Sequence, residues 1–159
     1  MKQETKNSIY AFISLIYSFK PFSQDMAAND IEIILNRQLA DCLSVPVFIV
    51  DPQGNLLFYN EPAEQILGKK YEDTGEMPVG KWSTMFTPKD QNGDLLPTGQ
   101  LPLVKTLRTH KPAHGSFWIK SLGGDDLEIS VTAYPIIGRS QRFSGAVAIF
   151  WTNNEEDDI

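Results

Sequence analysis

Residues 46–68, PVFIVDPQGNLLFYNEPAEQILG, pass from one unbroken apolar run to the next with only turn-forming residues between them. VFIV at 47–50 reads as a strand apolar on both faces, DPQG at 51–54 as a tight turn, and LLFY at 56–59 as the returning strand of a hairpin. Asn60 then stands as the N-cap of a two-turn helix. Glu61 and Pro62 occupy its first turn, and Gly68 supplies the left-handed stop. Upstream, Asn29 and Glu32 have the spacing of a capping box, and Ile31, Ile34, Leu35, Leu39 and Cys42 recur at helical intervals. An amphipathic helix ending near Leu43 is predicted. Its stripe is read first as packing against a sheet. A dimer surface made of Ile31, Ile34, Leu35 and Leu39 is a second and compatible use.

Farther along, residues 69–80 are polar and carry Gly and Pro, so they read as loop, followed by a short aromatic anchor at Trp82, Met85 and Phe86. Residues 101–109 read as a helix with Leu103, Val104 and Leu107 on one side and Pro102 in its first turn. Three strand-like runs close the chain, at 116–121, 127–134 and 143–151, with GGDD and IGRSQ between them. In the second of these, Leu127, Ile129, Val131 and Ala133 alternate with Glu128, Ser130, Thr132 and Tyr134, the period of a sheet with unlike faces. Two strands, several short helices and three more strands predict an α+β domain. It has a five-stranded antiparallel sheet, short helices on one face and an amphipathic helix at the N-terminal end.

Length and charge narrow the classes. At 159 residues with 42% hydrophobic content the chain suffices for one core, divided as an N-terminal extension (1–28), a domain (29–152) and an acidic tail (153–159). The net charge of −6 owes four of its units to Glu155, Glu156, Asp157 and Asp158. No stripe of Lys and Arg exists that could displace counterions from a phosphate backbone, so direct nucleic-acid binding is not expected. The single cysteine, Cys42, fits a reducing compartment, with the cytoplasm as the default. The apolar run 9–19, IYAFISLIYSF, is as long as a signal-peptide core but too short to span a bilayer. It lacks a convincing cleavage site, and a short apolar helix packed on a partner or on the body is the plainer reading. Met26 is an alternative start, since MAAND leads directly into the capped helix.

VDPQGNLLFYNEPAEQILG resembles the opening hairpin and first helix of the PAS family of sensory domains. The run from NGDLLPTGQ to TAYPI is similar to that family's final helix and next two strands, and GAVAIFW to its last strand. The resemblance implies a curved sheet cupping short helices around a small cavity. Carried over by position, it points inward Phe48 and Val50, Ile119, then Ile129, Val131 and Ala133, and Val147 and Ile149, with Leu103 and Leu107 closing the space from the helix. Ten apolar residues so placed are first of all a packed core; a pocket for a small apolar or aromatic molecule is the functional alternative.

The cofactor branches of the family are a poor match. The region matching the flavin-reactive helix, KWSTMF, has no cysteine, and Ile129 and Val147 stand where amide side chains would contact the ring. The region matching the haem-ligating position reads Thr98, Gly99, Gln100 and has no histidine. Flavin and haem are therefore not expected, and the cofactor is left unassigned. His110 and His114, separated by Pro112 and followed by Gly115, read as solvated residues of a turn and not as a metal pair. The Asp residues at 51, 73, 90, 94, 125 and 126 sit in predicted turns, where their side chains bond nearby amides, and no nucleophile elbow, P-loop or zincin motif occurs. No enzymatic activity is expected.

The expectation is a stand-alone PAS sensor that binds a small molecule or senses cell state. Where multidomain relatives continue into an effector, this chain reads WTNNEEDDI, so the signal is expected to pass in trans to a separate protein such as a kinase or regulator. The alternative is a ligand-free module that dimerises through the leading helix. A homodimer is expected in either case.

Overall fold

The chain's computed structural model describes residues 31–120 and 124–153; the expectations for residues 9–19, Met26, the Asn29 cap, Gly123 and residues 154–159 lie outside the described residues. β1 (Val47–Val50) and β2 (Leu56–Tyr59) form the predicted hairpin, and every residue of both is buried, as two-sided apolar strands require. Asp51 shapes its turn: Gly54 N–H donates to the Asp51 carbonyl at 2.9 Å, and the carboxylate accepts from the amides of Gln53 and Asn55. After β2 comes α2 (Glu61–Leu67), capped by Asn60 and ended by Gly68 at φ 66°. Residues 69–80, expected as loop, instead include two one-turn helices, α3 (Tyr71–Thr74) and α4 (Val79–Trp82). Each is too short for a periodic signal and is held by tertiary bonds. Tyr71 donates from its hydroxyl to Leu57 O, and its amide donates to Glu64 Oε1.

α5 (Pro102–Thr109) precedes β3 (Ala113–Lys120), β4 (Asp126–Ile137) and β5 (Phe143–Thr152). The order across the antiparallel sheet is β2-β1-β5-β4-β3, so the last strand lies beside the first at the centre. That contact is close: Gly145 has φ 142°, and a Cβ there would collide with the Val50 carbonyl. Both outer edges are partly paired by bridges from the segment between the hairpin and α5, Met77 with Leu56 and Lys89 with Trp118. Such cover removes part of the open ladder an edge strand would offer.

The sheet separates two apolar layers. On its concave side Phe48, Val50, Ile129, Val131, Ala133, Ala146 and Ala148 pack with Ala63, Leu67, Met77 and Leu103 of the helical segment. On its other side lies α1 (Ile31–Asp41), whose Ile33 and Ala40 pack on Val47, Ile49, Leu57, Ile136 and Val147. This overturns the expected packing face of α1. Ile31, Ile34, Leu35 and Leu39 are 63%, 42%, 56% and 53% exposed. The stripe reading missed that the inner face is also held by polar groups: Tyr134 donates to Asn36, and Arg37 lies 4.9 Å over the Phe58 ring.

Asn60 joins the two layers. It is 2% exposed; its Oδ1 accepts from Val47 N–H at 2.9 Å and Ala63 N–H at 3.3 Å, while Nδ2 donates to Ala40 O and Val45 O at 2.9 Å. Replacing it by Ala orphans buried backbone groups, each costing about 1–3 kcal/mol, so Asn60→Ala is expected to lose about 3–5 kcal/mol in denaturant unfolding. Asn60→Asp retains the acceptor but aims a carboxylate at carbonyl oxygens. It should be destabilised at neutral pH and recover as acid restores a donor; a pH-independent loss would contradict this role.

Candidate functional site

Strand pairing dictates which side chains share the concave face, because residues directly opposite one another in a sheet project to the same side. Phe48 lies opposite Ala148, Val50 opposite Ala146, Ala133 opposite Ala148, and Val131 opposite Phe150. On the neighbouring pair, Phe117 lies opposite Ile129 and Gly115 opposite Val131. Eight of the ten residues expected to line the cup pack in this layer: Phe48, Val50, Ile119, Ile129, Val131, Ala133 and Leu103 are buried, and Leu107 packs against them partly exposed. Val147 and Ile149 do not. They face α1, and Ala146, Ala148 and Phe150 take the inward positions. The positions carried over from the resemblance were out of phase by one residue on this strand.

At the centre of the face, Phe48 gathers four rings. Phe150 lies 4.7 Å away, Phe86 5.9 Å, Trp82 6.1 Å and Tyr59 6.2 Å, mostly edge to face. Phe48 and Tyr59 are buried, whereas Trp82, Met85, Phe86, Leu96, Leu101 and Phe150 are half-buried. The cup therefore has a buried floor and a partly wet apolar rim. Of the rim, Trp82, Met85 and Phe86 were recognisable as an aromatic anchor, while Phe150 was legible only from the parity of β5.

The rim is fastened through the hairpin turn. Trp82 Nε1 donates to Gly54 O at 2.9 Å, and Val79 N–H donates to Asn55 Oδ1 at 3.1 Å. Asn55 Nδ2 in turn donates to Asp51 Oδ2 at 2.8 Å. Burial pushes the Asp51 carboxyl above its ordinary value of 3.8, against the opposing pull of its hydrogen bonds from Asn55 and Gln53. Burial likewise raises Tyr59, so its hydroxyl, 2.7 Å from Thr74 Oγ1, stays protonated beside the floor. At the back of the cup, Thr106 donates to Ala133 O and fixes α5 to β4.

The histidines are elsewhere. His110 ends α5 at φ 54° with its ring stacked 3.9 Å from Phe143. His114 belongs to β3, not to a turn, and its Nδ1 is 2.9 Å from Thr132 Oγ1. Pro112 and Gly115 misled the turn expectation, since strand pairing with Ala133 and Val131 begins at Ala113 and continues through Gly115. Among the described residues no group of three or more His, Cys, Asp or Glu side chains is placed to hold a metal. A separate surface cleft of about 210 Å³ lies beside β3, between Lys89–Gln91, Gly93, Trp118 and Asp126.

With this arrangement in view, residues 35–99 match the family described as PAS domain. That match takes in the hairpin, α2 and the segment that follows it. The PAS fold extends beyond that match. The LOV protein of Rhodobacter sphaeroides superposes with a TM-score of 0.60 at 12% identity, covering 81% of this chain and 71% of that one. The PAS domain of BvgS from Bordetella pertussis gives 0.53 at 13%, covering 79% and 88%. The LOV domain of a blue-light activated histidine kinase from Erythrobacter litoralis gives 0.53 at 16%, covering 70% and 97%. At such identities the likeness is one of fold. No curated protein matches the chain.

If the turn anchors the rim, Asn55→Ala should release Val79 and with it Trp82. In a background with Trp118→Phe and Trp151→Phe, the Trp82 emission is expected to shift to the red, with about 1–2 kcal/mol lost in unfolding. Unchanged emission would show that the rim is held without the turn.

Proposed function

We propose that this PAS domain is a non-enzymatic sensory module that takes a small apolar or aromatic molecule into its concave face and signals to a separate protein such as a kinase or regulator. The observation that carries the reading is the half-buried ring set of Trp82, Phe86 and Phe150 above the buried Phe48. Apolar rims with a buried floor gain by covering their remaining wet surface, and rings offer flat faces and edges to another ring. The inward strand positions of β4 and β5 carry Ile129, Val131, Ala133, Ala146 and Ala148, with no amide to contact a flavin ring. That set favours an uncharged ligand with few polar groups. A cytoplasmic setting without direct nucleic-acid contact is part of the proposal, supported by the single cysteine and the lack of a basic stripe. No helix among the described residues is long and apolar enough to cross a membrane.

Signalling needs more than occupancy, because a ligand shifts a conformational equilibrium only by its differential affinity for the two states. The hydrogen bonds from the hairpin turn to Trp82 and Val79 offer such a difference. They join the rim to the central hairpin, whose Val47 amide is tied through Asn60 to α1 on the opposite face.

A second reading, a ligand-free interaction module that dimerises through α1, is favoured by the exposed stripe of Ile31, Ile34, Leu35 and Leu39. Native mass spectrometry of the purified full chain separates the two. A stoichiometric small-molecule adduct, or a ligand found by thermal-shift screening of aromatic compounds, supports sensing. Phe86→Ala should then weaken that ligand about tenfold, near 1.4 kcal/mol, while circular dichroism shows the fold retained. An empty, concentration-independent dimer, or affinity unaffected by both Phe86→Ala and Phe150→Ala, would overturn the concave-face assignment.

A further inference from the structure

Acidic residues are unevenly placed along this chain. None occurs in residues 95–124 or 129–154, and the turns within these two stretches, at 109–112 before β3 and 138–142 between β4 and β5, carry Lys111, Arg139 and Arg142. The fold sets the two turns side by side. The His110 ring is stacked 3.9 Å from that of Phe143, the residue after Arg142, so the end of α5 is fastened to the start of β5. One end of the domain thereby presents His110, Lys111, Arg139 and Arg142, all exposed. Two carboxylates reach this end without neutralising it. Glu32 of α1 stands 4.0 Å from Arg142, and Asp51, beside Gly145, is buried and turned to the amides of Gln53 and Asn55. Among the described residues no carboxylate is paired with Lys111 or Arg139.

Backbone strain gathers at the same place. Among the described residues three non-glycine residues have positive φ, His110 at 54°, Ser140 at 57° and Gln141 at 59°, and all three lie in these two turns. Arg142 N–H donates to Arg139 O at 3.2 Å and closes a turn whose two central residues are left-handed, a place where Asn-Gly is ordinarily found. Ser-Gln there costs stability, and the turn holds Arg139 and Arg142 with their Cα atoms within about 7 Å of each other. Residues kept in such backbone cluster at ligand clamps and other functional positions.

We propose that this cationic end is a docking surface for an acidic, extended segment of a partner protein. Alternate residues of an extended chain are roughly 7 Å apart, so carboxylates two positions apart match the span of the two arginines, with Lys111 alongside. Charge argues for a short protein segment and against a long polyanion. The whole chain carries −6, so a nucleic acid or an anionic bilayer would be repelled wherever it ran past the patch, whereas a short segment touches the patch alone. A second copy meeting this one through the same end would set like charges against each other. The inference rests on the reading that the signal passes to a separate protein, and it is independent of what the concave face binds.

The test uses the full chain and a fluorescein-labelled decapeptide of alternating Glu and Thr. Anisotropy at low salt is expected to show saturable binding that weakens as added salt screens the charges. Lys111→Glu with Arg139→Glu should weaken it by roughly tenfold or more. Lys69→Glu with Lys70→Glu, an equal change of net charge at exposed residues elsewhere, should alter it by less than about threefold. Circular dichroism checks the fold, and Lys111→Gln with Arg139→Gln is the milder pair should charge reversal unfold the domain. Absence of saturable binding, equal losses from the two reversed pairs, or tighter binding to a single-stranded oligonucleotide or to phosphatidylglycerol vesicles would overturn the proposal. A concave-face ligand is measured separately and should bind the Lys111→Glu, Arg139→Glu variant unchanged, so failure of either inference leaves the other standing.

Discussion

Asn60 has four hydrogen-bonding positions, and since it is buried each must be filled by protein. The two lone pairs of Oδ1 take the amides of Val47 and Ala63, and the two protons of Nδ2 go to the carbonyls of Ala40 and Val45. These four partners belong to β1, α2, the end of α1 and the linker that follows it. One side chain thus fixes where the first strand starts, where the first helix of the concave layer begins and how the outer helix enters the domain. No apolar residue could do this, because the same backbone groups would be left without water or partners. The position is small enough to be a single substitution and central enough that both layers depend on it.

The second constraint is the crowding of the central strands. β5 lies between β1 and β4 and is covered on both faces, so its residues cannot be sorted by polarity. They are sorted by size. Ala146 and Ala148 face the cup, where the rings of Phe48 and its neighbours need room, and Val147 and Ile149 fill the layer beneath α1. The concave face consequently has small residues along its middle and rings packed over them. The hairpin turn at Asp51–Asn55 ties the rim of that surface to the strand that Asn60 anchors, so floor, rim and outer helix share one backbone support.

Much of this was legible in the chain. The hairpin, the Asn60 cap, the Gly68 stop and the strand alternation in β4 are local signals, each stated by a few adjacent residues, and each appears where it was expected. The misses share a physical cause. The phase of β5 and the packing face of α1 are decided by what lies across from them: β5 has no polar face, and the polar residues of α1 lie partly on the face that packs. Ile31, Ile34, Leu35 and Leu39 formed the better apolar stripe, yet Ile33 and Ala40 pack, because Asn36 and Arg37 beside them bond or stack on Tyr134 and Phe58. The one-turn helices α3 and α4 are shorter than the helical period needs to be recognised, and they exist through contacts from Tyr71, Asn55 and Trp82.

The claim on which the account rests is that the two layers, joined at Asn60, are one cooperative unit. Native-state hydrogen exchange of the full chain measures this amide by amide. The Val47 amide, which donates to Asn60 Oδ1, the interior amides of α1 and α2, and those of β5 should exchange with a common free energy equal to that of global unfolding. If α1 instead opens at a free energy several kcal/mol below that of β5, the outer helix is a separate unit and Asn60 does not hold the domain together.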